Sequence, residues 1–245
     1  MPLAHIETRA EAMNKGEWKD LALDFEQSVC DVVRVDRRDV IGSLLSKHGY
    51  ALGKGTVLDA GCGVGTFVCK HSWRFSEVLA LDFVQEIAEQ AKLRCSHIPN
   101  VKFDCLNILN LPPALRGNFD LVVSLNVLTT PSASWRARYW KATLSAVRKK
   151  GHLLLLVPSL ESANFVQRYL GNFDLVNENA GLVNRDGAIQ KFYSWPELEI
   201  TLANLGLNSL ELIKFHYPWS LEGVSTPLNA RTKRPWDWLC FCERR

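Results

Sequence analysis

Residues 57–67 read Val57-Leu58-Asp59-Ala60-Gly61-Cys62-Gly63-Val64-Gly65-Thr66-Phe67. An apolar run ends in an acid, and three glycines then follow at alternate positions. The pattern predicts a buried strand that runs into a turn with a bare backbone. Without Cβ atoms the main chain can adopt positive φ and approach a ligand closely. A helix is expected to open at the third glycine and to run over 65–74. The free N–H groups at its start would face whatever lies in the crevice.

The glycine spacing limits the ligand. A dinucleotide fingerprint reads Gly-x-Gly-x-x-Gly and seats a pyrophosphate on the helix N-terminus. Here the third glycine comes one residue early, and Asp59 stands just before the first. A carboxylate at that place repels a pyrophosphate and suits a ligand that carries an ammonium group. The segment resembles motif I of the class I S-adenosylmethionine (SAM) dependent methyltransferases. That resemblance implies SAM as cofactor, held at the turn by Asp59, Gly61, Cys62, Gly63, Gly65 and Thr66. In the motif the small size of Cys62 matters more than its sulfur.

Downstream segments extend the resemblance over roughly residues 55–160. Glu77-Val78-Leu79-Ala80-Leu81-Asp82-Phe83 reads as a second buried strand ending in an acid. An acid about 20 residues beyond the first glycine is where a doubly wound fold binds a ribose. Asp82 is thus expected on the ribose hydroxyls and Phe83 on the adenine; the alternative for Asp82 is a plain strand-end acid. Val84, Ile87, Ala88 and Ala91 recur at helical spacing. Val101-Lys102-Phe103 reads as strand three, and 107–112 resembles the adenine-contacting loop, with Asn107 where the family usually has Asp. Asn107 and Ile108 are then cofactor contacts, or Asn107 is a turn former. Residues 119–126 match strand four, which places Leu125 and Asn126 beside the cofactor, and 151–158 match strand five. Asp120 is expected to be structural.

The resemblance implies an α/β fold. Its doubly wound, seven-stranded sheet would be mostly parallel, with an antiparallel last strand and strand order 3-2-1-4-5-7-6. A single domain is expected over 1–245, with an N-terminal helical cap over 1–50, a SAM-binding core over 51–160 and a substrate side over 161–245. Trp18, Leu21, Ala22, Phe25 and Val29 recur at helical spacing, and a second helix is expected over 40–46. Trp18 and Phe25 match a Trp-Asp-x-x-Ala-x-x-Tyr pattern that closes over the cofactor in related enzymes. Phe25 stands in place of the tyrosine, so a hydroxyl contact is lost; simple packing on the sheet edge is the alternative.

The substrate side is less legible. Residues 159–192 are a long Asn- and Gly-rich connection, read as a lid or substrate wall. Ser194-Trp195-Pro196-Glu197 is a capping box with Pro in the first turn, and Gly206 ends that helix. Strands are expected over 209–217 and 236–243, with a second loop at 218–235. Methyl transfer is an in-line displacement and depends mainly on positioning, worth about 7–11 kcal/mol. A general base is needed only for a protonated acceptor. Tyr193, His216 and Glu161 are the candidates, and a histidine is the natural base near neutral pH. Asn164, Trp219, Thr129 and Thr130 are candidate substrate contacts. Trp236-Asp237-Trp238 is core packing or a cation trap. No Asn-Pro-Pro-Tyr sequence follows strand four, which counts against methylation of an adenine or glutamine amino group.

The chain has 245 residues, is 47% hydrophobic and 22% charged, and carries a net charge of +3, which argues against strong nucleic-acid binding. Arg148-Lys149-Lys150 is expected to close a helix over 134–149, and Arg231-Thr232-Lys233-Arg234 to lie in a loop. No signal peptide and no membrane-length apolar run is legible. The seven cysteines are odd in number and scattered, so they are expected to be reduced thiols in an intracellular, cytoplasmic protein. Cys240 and Cys242 would share one face of a strand with no second pair to complete a metal site. The expectation is a SAM-dependent methyltransferase acting on a small-molecule O, N, S or C acceptor. The alternatives are an arsenic-methylating relative and a degenerate scaffold subunit. The former needs convergent thiols, and Cys30, Cys69, Cys95 and Cys105 show no obvious convergence.

Overall fold

The computed structural model describes residues 19, 31–51, 53–170, 176–177, 179–185, 188–227, 230 and 233–245. The stretches proposed as contacts at Trp18 and Phe25, and Cys30 with them, lie outside these residues. The first helix with described bounds, α1 (Val40–Lys47), buries Ile41, Leu44 and Leu45 on one stripe. Then follow β1 (Thr56–Ala60), α2 (Thr66–His71), β2 (Glu77–Asp82), α3 (Gln85–Arg94), β3 (Val101–Cys105) and β4 (Phe119–Leu125). Next come α4 (Ala133–Ala146), β5 (Val147–Pro158), α5 (Leu160–Leu170), β6 (Val176–Asn177), β7 (Leu182–Arg185) and β8 (Ala188–Lys191). The described chain closes with α6 (Trp195–Asn204), β9 (Leu207–His216) and β10 (Trp236–Arg244).

Seven strands form one sheet in the order β3-β2-β1-β4-β5-β10-β9. This is the expected 3-2-1-4-5-7-6 order. β1 pairs in parallel with β2 and β4, and β4 with β5. Only β10 runs against its neighbours, antiparallel to both β5 and β9. Burial on both faces explains the apolar runs in β1, β4 and β5, as expected where helices cover a parallel sheet on each side. Val57, Leu121, Leu154 and Phe241 pack with Ile41, Leu45, Phe67 and Val68 on one face. Leu58, Val122, Leu155 and Trp238 pack with Tyr139, Trp140, Leu198 and Leu202 on the other. Cys240 and Cys242 are buried in that second layer, where burial raises both thiol pKa values.

Several local expectations need correction. The helix expected over 65–74 is α2 followed by a 3-10 turn over Ser72–Arg74. The helix expected to end on Arg148-Lys149-Lys150 stops at Ala146, because Val147 already has extended backbone. The three cations therefore do not meet a helix C-terminus. They lie in β5 where its register against β4 shifts, and Arg148 pairs with Asp120 at 2.5 Å. The other oxygen of Asp120 accepts the Thr56 amide, so Asp120 is structural as expected.

The connection over 159–192 is not one loop. It carries α5 and a separate antiparallel sheet of order β6-β7-β8. Its strands are two to four residues long, too short for an alternating pattern to show. Lys191 ties this small sheet down: its Nζ meets Glu197 of α6 at 2.7 Å and its amide donates to the Thr129 carbonyl. The cysteines also depart from expectation. Cys69 of α2 and Cys95, just beyond α3, form a disulfide across a separation of 26 residues. α2 and the end of α3 meet there, with the two cysteine Cα atoms 5.8 Å apart, so residues far apart in sequence converge; spacing carries no sign of it. Cys62, Cys105, Cys240 and Cys242 are free thiols.

Candidate functional site

The turn after β1 is built as its glycines require. The Gly61 and Cys62 amides both donate to the Leu81 carbonyl, at 2.8 and 2.9 Å, which pins the turn against the end of β2. Gly61 has φ +86, and a Cβ there would lie 2.5 Å from Cγ2 of Val127. Gly65 has φ +80, and a Cβ there would lie 3.1 Å from the Cys95 sulfur. The left-handed backbone strains a side chain at both positions, and at Gly61 a Cβ would also collide with Val127. The preceding carbonyl, of Ala60, accepts from the Tyr139 hydroxyl at 2.9 Å, and that hydroxyl also meets Ser124 Oγ at 2.9 Å.

Three carboxylates surround this turn. Asp82 accepts from the Gly63 amide at 3.1 Å and the Val84 amide at 3.0 Å. Asp59 is 2% exposed, and its Oδ2 has no hydrogen-bond partner among the described residues. Asp31, on the N-terminal side, accepts from Thr66 Oγ1 at 2.5 Å. Burial pushes the Asp59 pKa up to about 8, helped by the negative charges of Asp82 and Asp31. Burial also raises Asp82, against the pull of its backbone hydrogen bonds. A buried carboxylate with an orphaned oxygen and acidic neighbours is poised for a cation.

Other expected contacts line the carboxyl ends of the same strands. Phe83 is half-buried beside Val84 and Ile87. Ile108 is buried, and the Asn107 side chain accepts from the Leu109 amide, which is the turn-forming role. Leu125 is half-buried at the end of β4. Asn126 follows in left-handed conformation, φ +58, a rare one for a residue other than glycine. Its Nδ2 reaches Asp237 at 3.4 Å, while its Oδ1 is buried with no partner among the described residues. Cys62 is buried, which pushes its thiol up, so it is no thiolate.

The catalytic candidates fare differently. The Tyr193 hydroxyl is buried and donates to the Leu128 carbonyl at 3.1 Å. Glu161 is occupied on both oxygens: Oε1 accepts the Trp195 amide, and Oε2 accepts from Trp238 Nε1 and Ser159 Oγ. His216 is exposed, with Nδ1 3.3 Å from the Arg234 carbonyl. It lies on the outermost strand, four places from β1. At the usual strand spacing that is about 19 Å away. Trp219 is buried and donates to the Lys233 carbonyl. Thr130 Oγ1 accepts the Ser132 amide, the Thr129 carbonyl accepts the Lys191 amide, and Asn164 sits half-buried on α5. Trp236 carries the Lys214 ammonium 4.0 Å above its ring, and Trp238 is core. Among the described residues no cluster of His, Cys, Asp and Glu is placed to hold a metal.

Residues 57–151 match the family model of the methyltransferase domain. Those residues carry the glycine turn, Asp59, Asp82 and Asn126. Residues 57–151 form a methyltransferase domain. Phosphoethanolamine N-methyltransferase 1 of Arabidopsis thaliana is 27% identical over 106 residues, 42% of this chain and 20% of the relative. The chain thus spans a fifth of that relative's length. Among solved structures, a 1,6-didemethyltoxoflavin-N1-methyltransferase from Burkholderia thailandensis aligns with TM-score 0.60 at 16% identity, over 96% of this chain and 92% of that one. A SAM-dependent methyltransferase assigned from Listeria monocytogenes aligns with TM-score 0.60 at 17% identity, over 83% and 96%. At such identities these structures speak for the fold alone, and they carry it well beyond the methyltransferase domain.

Two features around the turn escape the sequence. Asp31 stands alone among apolar neighbours, and nothing in its spacing announces a third carboxylate at the turn. Tyr139 lies on a helix face whose alignment with Ala60 is a tertiary fact. Asp237, beyond the methyltransferase domain, is legible only as an acid between two tryptophans, yet it is buried against Asn126.

Proposed function

We propose that the chain binds SAM at the glycine turn and transfers its methyl group to a small-molecule acceptor. The observation that carries the reading is the pair Asp59 and Asp82, buried on either side of a turn whose backbone excludes Cβ atoms. The orphaned Asp59 Oδ2 suits the ligand's ammonium group. Asp82, already an acceptor, suits ribose hydroxyls. When bound, SAM supplies a methyl group already activated on a sulfonium. The residues of this chain have to hold the acceptor in line and exclude water.

Asn126 and Asp237 lie at the carboxyl edge of the sheet, where open α/β folds receive ligands. They are the polar groups best placed to orient an acceptor. The small sheet β6-β7-β8 and α5, tied down through Lys191 and Glu161, supply the wall around it. No helix among the described residues is long and apolar enough to cross a membrane. A diffusible metabolite is the acceptor that fits this reading.

Titration calorimetry tests the cofactor. SAM is expected to bind and NAD to give no heat of binding. Asp82→Ala is expected to weaken SAM at least tenfold, since hydrogen bonds to a charged group are each worth about 1.5–3 kcal/mol. An unchanged SAM affinity in that variant overturns the assignment.

A further inference from the structure

The disulfide lies directly behind the glycine turn. Cys69 sits one turn into α2, and its amide donates to the Gly65 carbonyl at 2.9 Å. The Cys95 sulfur approaches the same carbonyl at 3.7 Å. α2 starts from the turn that ends at Gly65, and α3 starts three residues beyond Asp82. The bond therefore fixes the separation of the two helices that flank the cofactor cleft. Packing behind Gly65 is tight, since one added carbon there would lie 3.1 Å from the Cys95 sulfur and 3.4 Å from Ala91 Cβ.

On its other side Cys95 borders a surface groove of about 370 Å³, lined also by Lys92, Ser96, Val101, Lys102 and Phe103. When the bond is cut, the sulfurs must part from covalent to van der Waals separation. The Gly65 side is full and the groove is open. Cys95 is buried, whereas Cys69 is partly exposed. Cations favour a thiolate, and a more stable thiolate leaves faster. Lys92 and Lys102 supply that charge on the Cys95 side.

We propose that Cys69 and Cys95 form a thiol–disulfide exchange site for a dithiol reductant, and that the oxidised pair is the form that holds the glycine turn ready for the cofactor. This rests on the SAM-binding reading above. In the step, a thiolate of the dithiol attacks the Cys69 sulfur, the Cys69–Cys95 bond breaks, and Cys95 leaves and takes up a proton. The second thiol of the reductant then attacks the mixed disulfide and releases Cys69 as a thiol. Two electrons and two protons pass to the protein, and the dithiol becomes a cyclic disulfide. Reduction frees Cys95 to move into the groove, α2 and α3 separate, and Gly65 loses its backing.

The test uses the whole chain equilibrated with oxidised or with reduced dithiothreitol. Iodoacetamide followed by peptide mass mapping is expected to leave positions 69 and 95 unlabelled in the oxidised protein and to label both after reduction. Calorimetry with SAM is expected to show binding at least threefold weaker after reduction. Restored affinity on reoxidation separates this from damage during handling. The Cys69→Ser, Cys95→Ser double variant is expected to show the weaker affinity in both buffers. Full labelling of both cysteines in the oxidised protein, or equal SAM affinity in the two states, overturns the exchange site while leaving the cofactor reading intact. Loss of SAM binding in both states overturns the cofactor reading and this site with it.

Discussion

At the scale of single residues, the pKa of Asp59 is the quantity with the most consequences. It stands near 8 in the folded chain, because burial and the acids Asp82 and Asp31 oppose ionisation. In the unfolded chain it is an ordinary carboxylate. Between the two values the folded state holds a proton that the unfolded state has lost. Stability of the ligand-free protein therefore falls as pH rises from about 4 to 8. A bound ammonium group would reverse the penalty by favouring the charged form. Denaturant titrations at pH 5 and pH 8 are expected to show Asp59→Asn more stable than the parent chain at pH 8, with the gap closing at pH 5. SAM affinity of the parent is expected to rise between pH 6 and pH 8, and that of the variant to stay flat and weaker. A parent chain whose SAM affinity ignores pH would remove the cation role from Asp59. The burial of Asp59 and Asp82 near the turn is legible because each is an acid at the end of an apolar strand. The places of Asp31 and Tyr139 are not, because they depend on how distant helices dock. Asn107 carries two readings from its sequence, adenine contact and turn former, and its side chain caps its own turn.

At the scale of elements, apolar periodicity and caps were read well where elements are long. β1, β2, β4 and β5 carry unbroken apolar runs, and Ser194 Oγ accepts the Glu197 amide as a capping box requires. The other half of the box is missing, since the Glu197 carboxylate is turned to Lys191 instead. Tertiary pairing won over the local motif. The same competition hid the end of α4, where Arg148 leaves the helix for Asp120. Short strands such as β6 and β8 give no periodic signal, so the connection after β5 read as loop. Glu161 is the joint of that region, because it binds the start of α6 and a side chain of β10 from α5. As a joint it is predicted to govern stability rather than proton transfer. Glu161→Gln must turn an amide N–H₂ toward one of three donors. It is expected to lower the unfolding free energy by about 2 kcal/mol while SAM affinity stays within twofold. A tenfold loss of SAM affinity without loss of stability would return Glu161 to the active site.

At the scale of the whole molecule, the sheet order brings the acids of the turn and Asn126 to one edge, and it puts His216 on the outermost strand. Asp59, Asp82 and Asn126 end adjacent strands β1, β2 and β4, so one ligand can span them. A ligand seated there would tie the N-terminal side, through Asp31 and Thr66, to the core of the methyltransferase domain. It would bind only the folded chain, because no unfolded chain brings these strands together. Such a ligand at one hundred times its dissociation constant adds about 2.7 kcal/mol of stability. For a chain of 245 residues, each kcal/mol moves the midpoint of thermal unfolding by about 2–4 °C. Saturating SAM is therefore expected to raise the Tm by about 5–10 °C, and NAD at the same concentration to leave it in place. Asp82→Ala is expected to cut the SAM shift by half or more and to lower the ligand-free Tm as well, since the Gly63 and Val84 amides lose their acceptor. A parent chain whose Tm ignores SAM would be a fold that has kept the glycine turn and lost its ligand, and the scaffold reading would then take the place of the enzyme.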